Sequence, residues 1–340
     1  MHCVFHGIRF KVNKRLGCRE TALLAFYTLH FMKLIYRRIL SSAVDALPGA
    51  GKTVWWLLRI ILPTSLLVGL LHYFGILAWM SGYLTPLFSI IGLPGESAVV
   101  FMSSIFLPLY APIAIIATLP LDMREITILA LMCLISHNMI IESAIQKKTG
   151  SSYFAMFSVR ILSSFIGAYL LNILLPEHMG TAQNMSATIA HPDFISWLTH
   201  WAIGAGWLIM KIALIVTGLM MLQNILKTFH ILDYLSKTFA PVMKLFGLSK
   251  DSSFLWFVGQ TIGLTYGSAV MIEQVENKDI SRADANLLNY HIAINHSLLE
   301  DTLLFVAIGV PASWLIGPRF ILAIILVWTV RYMIHRRKNI

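Results

Sequence analysis

A histidine and two carboxylates stand close together in the C-terminal part of the chain. His296 and Glu300 are four residues apart, which places both on one face of a helix, and Asn295 and Asp301 flank them. An imidazole with a carboxylate one turn away can coordinate a divalent cation or relay a proton. The same groups can instead hydrogen-bond between packed helices. One histidine with one or two carboxylates per helix is weak support for a metal, so we predict no metal site.

The first half of the chain carries a related cluster. Asn138 and Glu142 have the same four-residue spacing, and His137 comes directly before them, 296 − 137 = 159 residues ahead of its counterpart. Ionisable side chains within a membrane helix are costly and usually face the interior of a bundle. We therefore expect both clusters to line a solute or proton site, or to join two helices by hydrogen bonds.

Each of these clusters follows a helix-start signal. Asp122-x-x-Glu125 and Ser281-x-x-Asp284 are predicted to be capping boxes, the second with Asp in place of the usual Glu. The histidines then lie about fifteen residues into the predicted helices, roughly 22 Å along the axis. That depth shields them from bulk water on at least one side.

The clusters belong to a longer internal repeat. Pro86–Ser97 (PLFSIIGLPGES) matches Pro241–Ser252 (PVMKLFGLSKDS) at its Pro, Gly, Leu, acidic and Ser positions, with an offset of 241 − 86 = 155. The later matches have the offset 159, so the second unit carries 159 − 155 = 4 extra residues. Duplicated hydrophobic halves are a common way for transporters to build a substrate site at an internal pseudo-symmetry axis.

The composition is that of a membrane protein. The 340 residues are 57% hydrophobic and 12% charged, with a mean hydropathy of +0.74, whereas a soluble domain carries about 25% charged residues. The formal charge of +10 lies mainly in short loops and at both ends of the chain, which indicates cytoplasmic tethering and not nucleic-acid binding. Three scattered cysteines indicate neither a disulfide framework nor metal-ligand spacing.

Residues 1–50 are predicted to be a cytoplasmic basic segment with an amphipathic interfacial helix over Thr21–Leu40. Pro48–Thr53 (PGAGKT) ends like a phosphate-binding loop, but no strand is expected before it and Ala46 stands where the first glycine should be. We interpret it as a Gly/Pro linker without nucleotide binding.

The apolar stretches that follow are of two kinds. Glu96–Leu119 and Ser252–Ile272 are interrupted by proline or glycine, and we predict that each enters and leaves the membrane on one side as a re-entrant hairpin. The others are predicted to cross the membrane: Val54–Met80, Glu125–Ile145, Tyr153–Leu175, Trp201–Leu226, Ala283–Ala307 and Trp314–Ile334.

The predicted fold is thus an all-α polytopic membrane helix bundle of two inverted repeats, each with three spans and one re-entrant hairpin. Repeat 1 covers residues 51–176 and repeat 2 covers 201–340, with an extracytoplasmic loop over 177–200 between them. This arrangement places most basic residues, including Lys147 and Lys148, on the cytoplasmic side, with Arg124 and Arg319 near the outside.

Residues in the hairpins are further candidates for contact with a solute. Unwound backbone inside a membrane leaves polar groups that protein, water or a solute must satisfy. Four residues lie at the hairpin mouths and are expected mainly to cap helices: Glu96, Ser97, Asp251 and Ser252. The predicted tips are Pro108–Pro112, with Tyr110, and Leu264–Ser268, with Thr265, Gly267 and Ser268. Packing of small residues against a neighbouring helix is the alternative.

The repeated Pro-x5-Gly-Leu-x-x-acid-Ser pattern, followed by an apolar hairpin and a capped helix with a Ser/Asn-His-Asn/Ser element, resembles the Gate or nucleoside recognition domain. That family includes the membrane part of the bacterial ferrous-iron transporter B and spore maturation proteins A and B, and is distantly similar to concentrative nucleoside transporters. The resemblance covers about residues 55 to 335 as two Gate units, and implies an inner-membrane bundle that self-associates. No cysteine suited to iron stands at the Gate positions, and no soluble GTPase domain is present, which argues against a stand-alone ferrous-iron transporter.

Two functions are compatible with these features. The first is a secondary transporter of a small polar or ionic solute by alternating access. The second is a non-transporting gate or scaffold that acts with a partner membrane protein. No arrangement typical of intramembrane hydrolysis is present, so we expect no enzymatic activity, and no cofactor is predicted. The expected location is the bacterial cytoplasmic membrane, with both termini in the cytoplasm. The expected partners are the lipid bilayer, a small solute or ion, and a second copy of the chain or another membrane protein.

Overall fold

The computed structural model describes residues 2–5, 8–11, 18–180, 193–261 and 263–338. Within these ranges one short antiparallel hairpin precedes fourteen α-helices. The strands are β1 (His2–Phe5) and β2 (Ile8–Lys11). The helices of the first half are α1 (Cys18–Tyr73), α2 (Ile76–Ser89), α3 (Ser97–Phe106), α4 (Tyr110–Ile116), α5 (Met123–Ser136), α6 (Met139–Lys148) and α7 (Tyr153–Leu174). Those of the second half are α8 (Phe194–Thr228), α9 (Ile231–Phe239), α10 (Ser253–Thr261), α11 (Leu264–Glu276), α12 (Arg282–Ile294), α13 (Leu298–Val306) and α14 (Ala312–Lys338).

Five helical segments among the described residues are long and apolar enough to cross a bilayer: Phe26–Tyr73, Met123–Lys148, Tyr153–Leu174, Phe194–Thr228 and Ala312–Arg336. They overlap five of the six predicted spans. The sixth, Ala283–Ala307, is divided between α12 and α13, as Met123–Lys148 is between α5 and α6. The helical, membrane-spanning class predicted from the composition is confirmed.

The first helix differs from its prediction. α1 runs unbroken for 56 residues through Pro48, so the predicted linker at Pro48–Thr53 is wrong and the interfacial helix continues directly into the span. Packing against α8 explains the continuity, because the Asn224 amide donates to the Ser42 carbonyl at 2.6 Å, six residues before the proline, and tertiary contacts override helix propensity. The span then ends at Tyr73 and not at Met80.

Both predicted hairpins are pairs of short helices. α3 and α4 are separated at residues 107–109, within or next to the predicted tip. In the second half α10 ends at Thr261 and α11 begins at Leu264, so Leu264–Ser268 forms the first turns of α11 and the predicted second tip is wrong. With 10 residues in α3 and 9 in α10, neither arm reaches the roughly 20 residues that a single crossing needs.

Backbone conformation repeats between the two halves. Four pairs of residues with positive φ share the sequence offsets, at 155 or 159: Gly75 and His230, Gly92 and Gly247, Asn138 and Ser297, Gly150 and Gly309. Left-handed backbone is rare and local for L-residues. Its recurrence at matched positions means that the turns, and therefore the breaks between helices, are duplicated together with the sequence.

Candidate functional site

Two helices of the bundle are interrupted at the predicted histidines. α5 ends at Ser136, His137 is extended, and Asn138 is left-handed with φ 50° before α6 begins. In the second half α12 ends at Ile294, and the left-handed Ser297, with φ 45°, precedes α13. The sequence predicted unbroken helices here. A single left-handed residue ends a helix because its carbonyl no longer points along the axis, and asparagine is one of the few side chains that tolerate it.

The short hairpin helices hold both breaks in place. The Asn138 backbone N–H donates to the Ser104 carbonyl of α3 at 2.8 Å, and the Ser297 N–H donates to the Gly259 carbonyl of α10 at 2.9 Å. These acceptors are 259 − 104 = 155 residues apart, which is the offset of the hairpins. Each hairpin therefore supplies the acceptor that its own broken helix lacks, as unwound backbone in a membrane requires.

A buried arginine caps each broken helix. Arg160 on α7 donates to the carbonyls of Ile135 at 2.7 Å and His137 at 2.6 Å. Arg319 on α14 donates to the carbonyls of Ile294 at 3.3 Å and of His296. Both guanidiniums are fully buried. A cation at the carbonyl end of a helix satisfies orphan acceptors and opposes the helix dipole.

Sequence reasoning missed these arginines: it expected Arg319 near the end of an outside loop, whereas Arg319 lies within α14 with its side chain 0% exposed. The signal was available. Arg160 and Arg319 are 319 − 160 = 159 residues apart, the offset of the two histidines, and each lies inside an apolar span. An intramembrane arginine is costly enough to be a functional candidate by default.

The two imidazoles meet where the broken helices cross. Their Nε2 atoms are 3.3 Å apart and their ring centroids 4.9 Å apart. His137 Nδ1 lies 3.2 Å from the Cys133 carbonyl and His296 Nδ1 lies 2.7 Å from the Ile292 carbonyl. A carbonyl only accepts hydrogen bonds, so each Nδ1 carries the hydrogen, and a neutral ring then presents a bare Nε2 to its partner.

Two carboxylates complete the central cluster, which we define as His137, Glu142, His296 and Asp301. Glu142 lies 3.3 Å from His296 Nε2 and 3.8 Å from His137 Nε2. Asp301, its counterpart at 142 + 159 = 301, lies 3.5 Å from His137 Nε2. All four residues are at most 7% exposed. Each histidine therefore meets a carboxylate from the opposite half of the chain as well as the other histidine.

The halves of the chain lie alongside each other in opposite directions at this crossing. Gly150, at the end of the α6 turn, faces Arg282 at the start of α12, and Gly309, after α13, faces Met123 at the start of α5. α1 and α8 are also antiparallel, since Gly49 meets Met220 whereas Gly69 meets Trp197. The cluster therefore lies between segments that contribute equivalent residues from two sides.

Comparisons with known proteins show which family the chain belongs to. The Gate family, described as nucleoside recognition, matches residues 54–171. An uncharacterized membrane protein of Bacillus subtilis (strain 168), YvoD, is 35% identical over 291 residues, which is 84% of this chain and 93% of the relative. The chain belongs to the Gate family. No solved structure matches it.

The cluster of this Gate protein contains only some of the residues chosen from the sequence. His137, Glu142, His296 and Asp301 meet there, and the backbones of Asn138 and Asn295 form the breaks beside it. Glu300 does not pair with His296, because the break turns it away. It accepts a hydrogen bond from the Tyr110 hydroxyl of the first hairpin at 2.7 Å.

The residues at the hairpin mouths lie apart from this network of contacts. Glu96 makes no side-chain cap and instead lies 3.8 Å from His72, while Asp251 and Ser252 sit in a 3-10 turn where Ser252 bonds Ser249 at 2.9 Å. Ser97 starts α3 and is buried. The expected acidic caps at these mouths are wrong.

The second hairpin supports packing more than solute contact. A Cβ on Gly267 would lie 2.8 Å from a Val258 methyl group, so glycine is needed for the close approach of α11 and α10. The side chains of Thr265 and Ser268 lie outside the described part of the structure.

Both predicted helix starts are capped in the structure. Asp122 and Glu125 hydrogen-bond reciprocally at the start of α5, and the Ser281 side chain caps α12.

Proposed function

We propose that this Gate protein is a secondary transporter of a small polar or ionic solute, with the central cluster as its binding site. One observation carries the proposal: four ionisable side chains from both halves converge, nearly fully buried, at the interruptions of two membrane helices. Charged groups inside a membrane are expensive and mark substrate or ion pathways. Broken helices next to such groups are the usual architecture of transporter sites.

Unsatisfied groups around the second break support a ligand there. Asn295 has neither amide atom hydrogen-bonded, and Asp301 Oδ2 and Arg319 Nη1 also lack a hydrogen-bond partner among the described residues. These atoms are buried, and a buried polar atom without a partner costs about 1–3 kcal/mol. A bound solute or ion would recover that free energy.

The proposed topology is two inverted repeats, each with three crossings and a re-entrant hairpin. The antiparallel courses of α5–α6 and α12–α13 support inversion, as does the antiparallel packing of α1 with α8. The contact between Gly150 and Arg282 also gathers Lys147, Lys148 and Lys278 at one end of the bundle, the distribution that places this end in the cytoplasm. Both termini are then cytoplasmic, and the protein resides in the cytoplasmic membrane.

A non-transporting gate or scaffold without enzymatic activity is the second candidate. The contacts between the halves favour it: Gln146 donates to the Asn289 carbonyl at 2.9 Å, and the Asn289 amide donates to Thr149 at 2.8 Å and Ser151 at 2.9 Å. These buried contacts resist separation of the halves, although the side-chain oxygens of Gln146 and Asn289 have no partner among the described residues. In this case the protein acts through a second copy or a membrane partner.

Uptake into proteoliposomes separates the two candidates. The native full-length chain is compared with His296→Ala, using radiolabelled zinc and a set of radiolabelled nucleosides as probes. The control is His200→Ala, which removes an exposed histidine of α8. Uptake by the native chain and by the control, lost in His296→Ala, supports transport. If the native chain takes up none of the probes above empty vesicles, the proposal fails and the scaffold is favoured.

The topology has its own test. Single cysteines in place of Lys147 and Lys278 should both react with an impermeant thiol reagent from the cytoplasmic side only. Reaction from opposite sides would overturn the inverted arrangement.

A further inference from the structure

We propose that the ligand of the central cluster is a divalent transition-metal ion. The Nε2 atoms of His137 and His296 and a carboxylate oxygen of Glu142 are the ligands, and Asp301 supplies the fourth. His137, Glu142 and His296 offer ligand atoms that all lie within 4.8 Å of one another. The inference deepens the proposed function, since it names the class of ion that the transporter would carry.

The hydrogen-bond donors of the cluster are already committed elsewhere. Both Nδ1 hydrogens point at backbone carbonyls, of Cys133 and Ile292, so two Nε2 lone pairs face each other at 3.3 Å. The carboxylate oxygens nearest to them also bring only lone pairs. With both rings neutral and both carboxyl groups ionised, these four groups can only accept and cannot satisfy one another, whereas a shared cation satisfies all of them.

The separations fit coordination. Ligand atoms about 2.05 Å from a tetrahedral zinc ion lie about 3.3 Å from one another. Here the two Nε2 atoms are 3.3 Å apart, Glu142 lies 3.3 Å from His296 Nε2, and Asp301 lies 3.5 Å from His137 Nε2. These three separations are close to that length, and the 3.8 Å between Glu142 and His137 Nε2 is longer.

The surroundings are those of a metal site. A metal-binding histidine usually donates its second ring N–H to a carbonyl or carboxylate, which fixes the ring and its tautomer. Both histidines do so here. Arg160 donates to Glu142 at 2.7 Å and fixes that carboxylate as well. The ligands are thus oriented by the protein before an ion arrives.

Charge and ligand type define the ion. When Glu142, Glu300 and Asp301 are ionised, they and the two buried arginines sum to 2 − 3 = −1, so a cation is attracted. Imidazole nitrogen with carboxylate oxygen suits zinc, cobalt, nickel and iron, whereas magnesium and calcium prefer oxygen alone. The sequence prediction of no metal site considered each helix separately, and the ligand set forms only where the two helices cross.

Metal binding by the purified full chain in detergent tests the inference. The chain is first stripped of metal with a chelator. Calorimetric titration with Zn²⁺ should then show one ion bound per chain. Addition of Co²⁺ should give the visible absorption bands of a low-coordinate site with nitrogen ligands. His296→Ala and Glu142→Gln should weaken Zn²⁺ binding by at least about 100-fold, beyond the loss typical of an outer-shell change. The control His200→Ala should bind like the native chain.

Two results would overturn the site. The first is a native chain that binds neither Zn²⁺ nor Co²⁺, a result that does not depend on whether any variant folds. The second is equal loss of binding in His200→Ala and His296→Ala. X-ray absorption of the zinc-loaded native chain adds a direct readout, because two imidazole ligands must appear, and a spectrum without imidazole contradicts the assignment.

The same preparations separate this inference from the proposed function. Zinc binding at the cluster without uptake into proteoliposomes would refute transport and keep the metal site. Uptake of a labelled nucleoside by a chain that binds neither metal would refute the metal site and keep transport.

Discussion

The two halves of the central cluster use equivalent residues and satisfy them differently. In the first half Arg160 Nη1 reaches Glu142 at 2.7 Å. In the second half the corresponding Arg319 Nη1 and Asp301 Oδ2 have no hydrogen-bond partner within the part of the chain that the structure describes. Aspartate is one methylene shorter than glutamate, so the same backbone positions do not bring the second pair into contact. The duplicated framework thus combines a closed pair, Arg160 with Glu142, and an open pair, Arg319 with Asp301. The open pair is available to a ligand.

The largest expected effect is the loss of the closed pair. Glu142→Ala leaves the fully buried Arg160 without its carboxylate, which should cost about 3–5 kcal/mol of folding free energy. Asp301→Asn removes no such bond and should cost far less. Thermal unfolding in detergent, with ligand absent, compares the two. Equal destabilisation would mean that the halves do not differ in the way described.

The next effect concerns the duplicated left-handed glycines. Gly92→Ala and Gly247→Ala each place a Cβ at φ 74°, which costs about 1–2 kcal/mol. At Gly92 the Cβ would also lie 2.0 Å from the Asn172 amide oxygen, which accepts from Arg124 at 2.8 Å, so Gly92→Ala should cost about 1–3 kcal/mol more. A larger loss for Gly247→Ala in the same melting experiment would contradict this ranking.

Asp301→Glu should make the second half resemble the first. The longer side chain can reach Arg319 as Glu142 reaches Arg160, and a hydrogen bond to a charged group adds about 1.5–3 kcal/mol before the cost of fitting the extra methylene. We expect a modest rise in the midpoint of thermal unfolding together with weaker zinc binding. A variant that melts lower and binds zinc unchanged would show that the open pair is not what the ligand uses.

The smallest effect belongs to a contact that has no equivalent in the other half. Tyr110→Phe removes the hydrogen bond to Glu300, and the residue matching Glu300 in the first half is Ile141, at 300 − 159 = 141. The expected cost is about 1 kcal/mol. A double-mutant cycle with Glu300→Gln should show coupling between the two changes. Additive effects would show that the bond contributes nothing to stability.

The sequence predicted the membrane class and the duplication, and its fifteen candidate residues included the four of the central cluster, because apolar spans and repeated ionisable groups are local features. It did not predict that the helices break at His137 and His296. The left-handed turns at Asn138 and Ser297 depend on acceptors from the hairpins, Ser104 and Gly259, which are distant in sequence. The pairing of His296 with Glu300 failed for the same reason, since i to i+4 spacing applies only within an unbroken helix.

Other differences arise from packing between helices. Pro48 and its neighbouring glycines are strong signals for a break, yet α8 keeps α1 helical past them. Arg319 looked like a loop-end charge because one charged residue near the start of a span is common. Its burial follows from the carbonyls of Ile294 and His296, which become acceptors only after α12 has ended.

The long first helix constrains how the molecule can move. Ser42 bonds Thr228 at 2.8 Å near one end of the α1–α8 contact, and Gly69 closes on Trp197 near the other. The first helices of the two halves, α1 and α8, are thereby held together near both ends of their contact. Any opening toward the cluster must then come from the hairpins and the broken helices sliding against this common spine, and the halves cannot part as separate rigid blocks.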